Sequence, residues 1–521
     1  MKPRLLYFFI SAIIILSILT GLFIWHNKDD KEITRFNKKL FSAPISSRYI
    51  PIDADLIVHW KVNPNTIPSY IENYQDKSDT NNINQNIRLI RDSSFSLIGI
   101  DFSKYISKWA GDFGSFAILD SNKKLFQDWI IVLDINNDIN ISEELESISE
   151  NNNTDSNLKG IYKSKIFSKR TNTDDFIYFA IENDNILIAS DPDIIQSSIK
   201  KAEKNKFNTR ENYKYIQLID NIKDGFLLLE ISPKKILNFL GQKENLLGLE
   251  QASKLISSIN IENKKLILEG VLSYDKKTEM PENSINSKSI RKDSRLLDDL
   301  ILIDNPSQYF KERTIHPYQK LIASLIKRST SSDFTTFFKT ILANSKGKLI
   351  WINDKGWLIL AKRSDTDKKV INGILKQNNF LNSNIDFDNK DLEVWSQIST
   401  DINDDYEIKR NIEAIFEETE ETYIWGQDLA SISNHENKKY LSNIFDYEYE
   451  KNEGNDFNEI LNIHLMKGKT ELFLNKFYPY ILFKTMVGNK LNFPDNIDIS
   501  VSAPTINYPD FIKFTIGLKT S

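Results

Sequence analysis

The sequence predicts an α+β protein in which an N-terminal transmembrane helix precedes two similar halves, each an antiparallel sheet covered by helices. Three observations lead there: a long uncharged stretch opens the chain, apolar residues alternate with polar ones in many short runs, and the same order of runs occurs twice. A chain of 521 residues with 40% hydrophobic and 27% charged residues suits a folded body of more than one domain.

The opening stretch, LLYFFISAIIILSILTGLFIW, runs from Leu5 to Trp25 without a charge. As a helix it rises about 31 Å, enough to cross a hydrocarbon core of ~30 Å. It is longer than the apolar region of a cleaved signal and has no small-residue cleavage site before His26, so it reads as an anchor. Lys2 and Arg4 precede it, and Lys28, Lys31 and Arg35 follow, so flanking charge leaves the orientation open. A span this close to the N-terminus behaves as an export signal. The expectation is therefore a single-pass membrane protein, held through that helix, with its body on the periplasmic or thylakoid-lumenal side.

Residues 26–45 form a polar stalk. The halves are expected at 46–275 and 296–521, separated by the polar linker 276–295. GSFAILD and DWIIVLDI (114–120 and 128–135) match GKLIWIND and GWLILAKR (347–354 and 356–363) as hairpins. FIYFAIENDNILIAS (176–190) answers to TYIWGQDLASIS (422–433), and GFLLLEISPKKILNFL (225–240) to ILNIHLMKGKTELFL (460–474). KKLILEGVLSY (264–274) closes one half as DFIKFTIGLK (510–519) closes the other. Strand, Asn or Ser, Pro, helix recurs around Pro64, Pro233 and Pro306. Proline in the first helical turn gives up no needed N–H, and the preceding residue can cap the helix.

GDFG (111–114) shares its last three letters with the metal-holding loop of protein kinases. The companion motifs, a Gly-rich loop, a strand lysine and His-Arg-Asp, are missing. The sequence instead predicts a helix over about 103–109 ending near Trp109, a left-handed cap at Gly111 and a strand opening at Gly114.

The absence of cysteine excludes disulfides, thiolate metal sites and cysteine nucleophiles. A formal net charge of −5 with no basic stripe argues against a nucleic-acid partner. His26, His59, His316, His435 and His464 show no ligand spacing; His59 and His464 fall in strand patterns. Asp134, Asn136, Asp138 and Ser142 match four positions of a calcium loop. However, Ile139 and Leu145 stand where that loop needs glycine and glutamate, so the segment reads as a strand-to-helix loop and no metal site is assigned. Trp60, Trp109, Trp129, Trp351, Trp357, Trp395 and Trp425 could line a ligand cleft or fill the core. No catalytic residue and no cofactor follow from these motifs.

IPIDADLIVHWKVNP, FSKYISKWAGDFGSFAIL and ILIASDPDIIQSSIKKA (186–202) together resemble the cyanobacterial proteins grouped as domain of unknown function 3352. The shared landmarks are the opening strand with Asn-Pro, the Trp-x-Gly element at Trp109 to Gly111, and the Ser-x-Pro helix start at Ser190 to Pro192. The second half departs most, with ILANSKG in place of Trp-x-Gly. The resemblance implies a membrane-anchored, exported protein and supplies no catalytic residues. The sequence therefore points to a non-enzymatic binding or scaffold protein with a protein partner. A lipid or pigment carrier with an apolar cavity is the alternative, and a hydrolase using carboxylates comes third.

Overall fold

In the computed structural model, runs of apolar residues become strands, and every strand pairs antiparallel. The residues described are 45–60, 88, 92, 95, 96, 100–119, 128–135, 141–148, 165–170, 176–203, 218–223, 225, 227–235, 248–262, 265–275, 299–310, 316–330, 334–353, 356–401, 407–433, 459–475, 494–503 and 510–519.

The first part of the chain gives β1 (Leu56–Trp60), β2 (Ala110–Ile118), β3 (Trp129–Ile135), β4 (Ile166–Arg170), β5 (Phe176–Glu182), β6 (Asn185–Ala189), β7 (Leu227–Ile231), β8 (Ala252–Glu262) and β9 (Lys265–Tyr274). The second gives β10 (Asp299–Asp304), β11 (Lys348–Asn353), β12 (Trp357–Lys362), β13 (Phe380–Phe387), β14 (Lys390–Asp401), β15 (Glu407–Glu418), β16 (Thr422–Gly426), β17 (Glu459–Met466), β18 (Asn496–Ser502) and β19 (Phe511–Lys519). Their pairings run β4–β5–β6–β3–β2–β1–β7–β8–β9 and then, through β9–β19, on to β18–β17–β10–β11–β12–β16–β15–β14–β13.

The expected fold class is thereby corrected. Instead of two halves with a sheet each, the described residues form one open sheet of 19 strands. The physical reason lies in β9 and β19: each would be an edge with a row of unsatisfied amides, and pairing them removes both edges. The expected transmembrane helix and single-pass location are corrected too. Among the described residues no helix is long and apolar enough to cross a membrane. Leu5–Trp25, the stalk up to residue 44, Pro64 and the linker 276–295 lie outside the described residues.

Helices cover parts of both faces. On the front face, Leu56, Val58, Phe116 and Ile131 pack against the helical turns Phe102–Ile106 and Ser107–Trp109 and the helix Ile141–Ile148. Further along that face Ile301, Trp351, Ile359 and Ile463 pack under Pro317–Thr330, Thr336–Asn344 and Asp365–Gln377. On the back face Ile57, Ala117 and Val132 meet Pro192–Glu203, and Ile350, Leu358 and Ile424 meet Leu429–Ser433. Strands such as β6 and β12 are buried on both sides, which is why they read as unbroken apolar runs.

GDFG is neither a catalytic loop nor a turn. The helical turns end at Trp109, the chain is extended at Ala110, and β2 begins there, with residues 111–113 in a bulge opposite β3. Gly111 lacks the expected left-handed conformation; the glycines with positive φ among the described residues are Gly248, Gly347 and Gly356. Gly114 lies inside β2, directly across from Trp60. Helical geometry begins at Pro233, as the Ser-Pro pattern implies. Pro306 is the turn residue before Ser307–Phe310, and Asn305 takes φ 47° and accepts a hydrogen bond from Gly347 N instead of capping the helix.

A Cβ at Gly114 would stand 2.4 Å from the Trp60 ring atoms Cε2 and Cζ2. Gly114→Val is predicted to destabilise the protein by roughly 1 to 3 kcal/mol in urea unfolding, as overpacking does. Adding Trp60→Ala to that chain should recover part of the loss.

Candidate functional site

Alternation decides which polar side chains share the back face. His59 on β1 stands opposite Ser115 of β2 and Leu228 of β7, and Glu230 lies two positions along β7 on the same face. Lys254 of β8 is diagonal to Glu230. The result is a chain of contacts across the sheet. Ser46 Oγ is 2.8 Å from Ser115 Oγ, which is 2.7 Å from His59 Nδ1. His59 Nε2 is 3.6 Å from Glu230 Oε1, and Lys254 Nζ is 2.7 Å from Glu230 Oε2.

The row continues across the β9–β19 junction. Lys513 Nζ of β19 lies 2.7 Å from Glu269 Oε1 of β9, and His464 Nδ1 of β17 lies 2.6 Å from Asp498 Oδ1 of β18. Each of these pairs projects from the back face, because Glu269 alternates with the front-face Leu268 and His464 with Ile463 and Leu465. Two histidine–carboxylate pairs therefore flank the middle of one sheet face.

Serine, histidine and glutamate in contact are the residue types of a hydrolytic triad. The arrangement differs from a working one in two respects. Ser115 holds Nδ1 of the imidazole and the carboxylate faces Nε2, the reverse of the usual orientation. His59 and Ser115 are 0% exposed and Glu230 is 1% exposed, so no substrate carbonyl can reach the serine hydroxyl. What the network does is keep a charge inside the protein. Burial raises the Glu230 carboxyl, but the Lys254 ammonium and then His59 overcome that and hold it down to about 2.

The residues singled out from the sequence are dispersed. Asp134 is the penultimate residue of β3, half-buried, its carboxyl raised by burial and then by Asp184 and Asp112. Ser142 lies in the helix Ile141–Ile148, and Asn136 and Asp138 lie outside the described residues. No group of three or more histidine or carboxylate side chains able to hold a metal occurs among the described residues. Trp109, Trp129, Trp351, Trp357, Trp395 and Trp425 fill the front-face cores. His59 was visible as a strand residue, but its partners were not. The available signal was Glu230, a lone carboxylate in the apolar run LLLEI.

The chain belongs to the family described as protein of unknown function (DUF3352). The family model matches residues 8–477. No curated protein and no solved structure matches the chain. Within the DUF3352 match lie β1 to β17, including His59, Ser115, Glu230 and Lys254, whereas β18 with Asp498 and β19 with Lys513 lie beyond it.

Because the folded-state value of Glu230 is below the ordinary 4.5, its contribution is complete above about pH 4.5 and is lost as the pH falls through 2. Glu230→Gln is expected to cost about 3 kcal/mol at pH 7, with the gap to the wild type closing in acid. Urea unfolding measured from pH 7 down to 2.5 checks this; a gap independent of pH would contradict it.

Proposed function

We propose that this protein is a non-enzymatic binding or scaffold protein that uses the far end of its sheet as an interaction surface, in a cyanobacterial cell as the resemblance implies. One observation carries the reading. Of the seven large apolar side chains exposed among the described residues, Leu381, Phe387, Ile398 and Ile412 all belong to β13–β14–β15. Register puts them on one face: Leu381 and Ile412 both oppose Ser396, Ile398 follows two residues on, and Phe387 lies at the same parity as Leu381.

Arg410 holds that face in order, donating from Nε to Ser396 Oγ at 2.8 Å and from Nη2 to Ser383 Oγ at 3.0 Å. Exposed apolar groups around a fixed arginine are the composition of a protein-contact surface. The sealed Ser115–His59–Glu230 contact supports the same reading, since the residue types suited to catalysis are where substrate cannot go.

The test compares the full chain with an Ile398→Lys, Ile412→Lys variant in cross-linking mass spectrometry on cell extract. Cross-links from Lys390 and Lys409 to protein are expected in the wild type and are expected to fall at least tenfold in the variant. Ester hydrolysis by the purified chain, abolished by Ser115→Ala with the fold intact, would overturn the proposal.

A further inference from the structure

We infer that β13 pairs with β13 of a second copy of this chain, joining two sheets across a twofold axis at Asn384. The inference rests on the reading of this end of the sheet as an interaction surface and names its partner.

Among the described residues the sheet ends at β4 and β13, and the two end strands are built differently. β4 reads IFSKR and ends in Lys169 and Arg170, the charges that block strand addition. β13 reads FLNSNIDF, with no lysine, arginine or proline, and is regular against β14 along all eight residues. Among the described residues it pairs with β14 alone.

The hairpin fixes which backbone groups of β13 are free. Asp388 and Asn389 form a two-residue turn with φ of 53° and 59°, closed by Phe387 opposite Lys390. Such a turn makes the closing residues a hydrogen-bonded pair. Phe387, Ile385, Ser383 and Leu381 therefore aim their amides and carbonyls at β14, while Asp386, Asn384 and Asn382 aim theirs outward.

These three outward residues pair with their own copies in one antiparallel register. With Asn384 opposite itself, Asn382 faces Asp386 of the second copy and Asp386 faces its Asn382, giving about six backbone hydrogen bonds. On the back face the same register sets Leu381 against Phe387 of the second copy and Ser383 against its Ile385. Leu381 is 46% and Phe387 36% exposed in the single chain, and pairing covers both. Asp386 is the one charge in the strand, and in this register it meets an amide instead of another aspartate. A sequence that is apolar against apolar and charge against amide when paired with itself fits a second copy better than an arbitrary strand.

The chain has no cysteine, so a single introduced thiol reports the register without interference. Sedimentation of the full chain at 1 to 100 µM is expected to show a dimer. Oxidation is expected to cross-link Asn384→Cys almost completely and Asn382→Cys by less than a tenth as much, since position 382 lies far from its own copy in this register. Leu381→Lys, which substitutes an exposed side chain, should shift the dimer to monomer by at least tenfold in dissociation constant. A monomer at 100 µM, or a dimer that cross-links equally well through both cysteines, would overturn the inference. A monomer that still loses its protein cross-links in the Ile398→Lys, Ile412→Lys variant would overturn the second copy while leaving the interaction surface standing. Loss of neither would sink both.

Discussion

The pairing of β9 with β19 is the contact on which the architecture depends. It runs through nine matched positions, from Phe511 opposite Ser273 to Lys519 opposite Lys265. On the front face Leu266 meets Leu518, Leu268 meets Ile516 and Leu272 meets Ile512, so the apolar layers of the two parts join without a break. Gly270 makes this possible: a Cβ there would stand 2.5 Å from the Phe514 ring, which lies across the strand at that point. Cross-strand apolar pairs of this kind contribute roughly 0.2 to 1 kcal/mol each, and several in register resist slippage because a shift of one residue would turn them all to the other face.

The back face of the same junction sets charged groups beside the buried Val271 and Phe511. Glu269 is 4% exposed, and a carboxylate this deep is tolerable because Lys513 meets it from the neighbouring strand. The same logic applies to Glu230 with Lys254 and His59, and to Asp498 with His464. Each pair links two or three strands, so each one favours one register over its alternatives. We regard that as their principal physical role: a lone buried charge costs several kcal/mol, whereas a matched one is close to neutral and penalises every register that separates it.

Repetition of connectivity follows from the pairings. β1 lies between β2 and β7 as β10 lies between β11 and β17, and β3 lies between β2 and β6 as β12 lies between β11 and β16. Among the described residues the second part has the longer strands β14 and β15, which together with β13 carry four of the seven exposed large apolar side chains.

Much of the strand content was legible because alternation and apolar runs are local properties. GSFAILD, DWIIVLDI, GKLIWIND and GWLILAKR fall in β2, β3, β11 and β12, and KKLILEGVLSY and DFIKFTIGLK fall in β9 and β19. The fate of GDFG was not legible. Glycine tolerates a cap, a turn or a strand alike, and only the approach of Trp60 makes Gly114 necessary where it stands. The candidate site was half legible: His59 and Glu230 are marked by their apolar neighbours, but they are 171 positions apart along the chain, and nothing local brings them together. The sequence by itself determined that the segments forming β2, β3, β9, β11, β12 and β19 are strands and which of their faces are apolar, because side-chain order along an extended backbone fixes that. The tertiary structure alone decided that the two terminal strands of the repeat meet and that polar residues from different strands pair on one face, because edge pairing and charge pairing are satisfied only between segments distant in sequence.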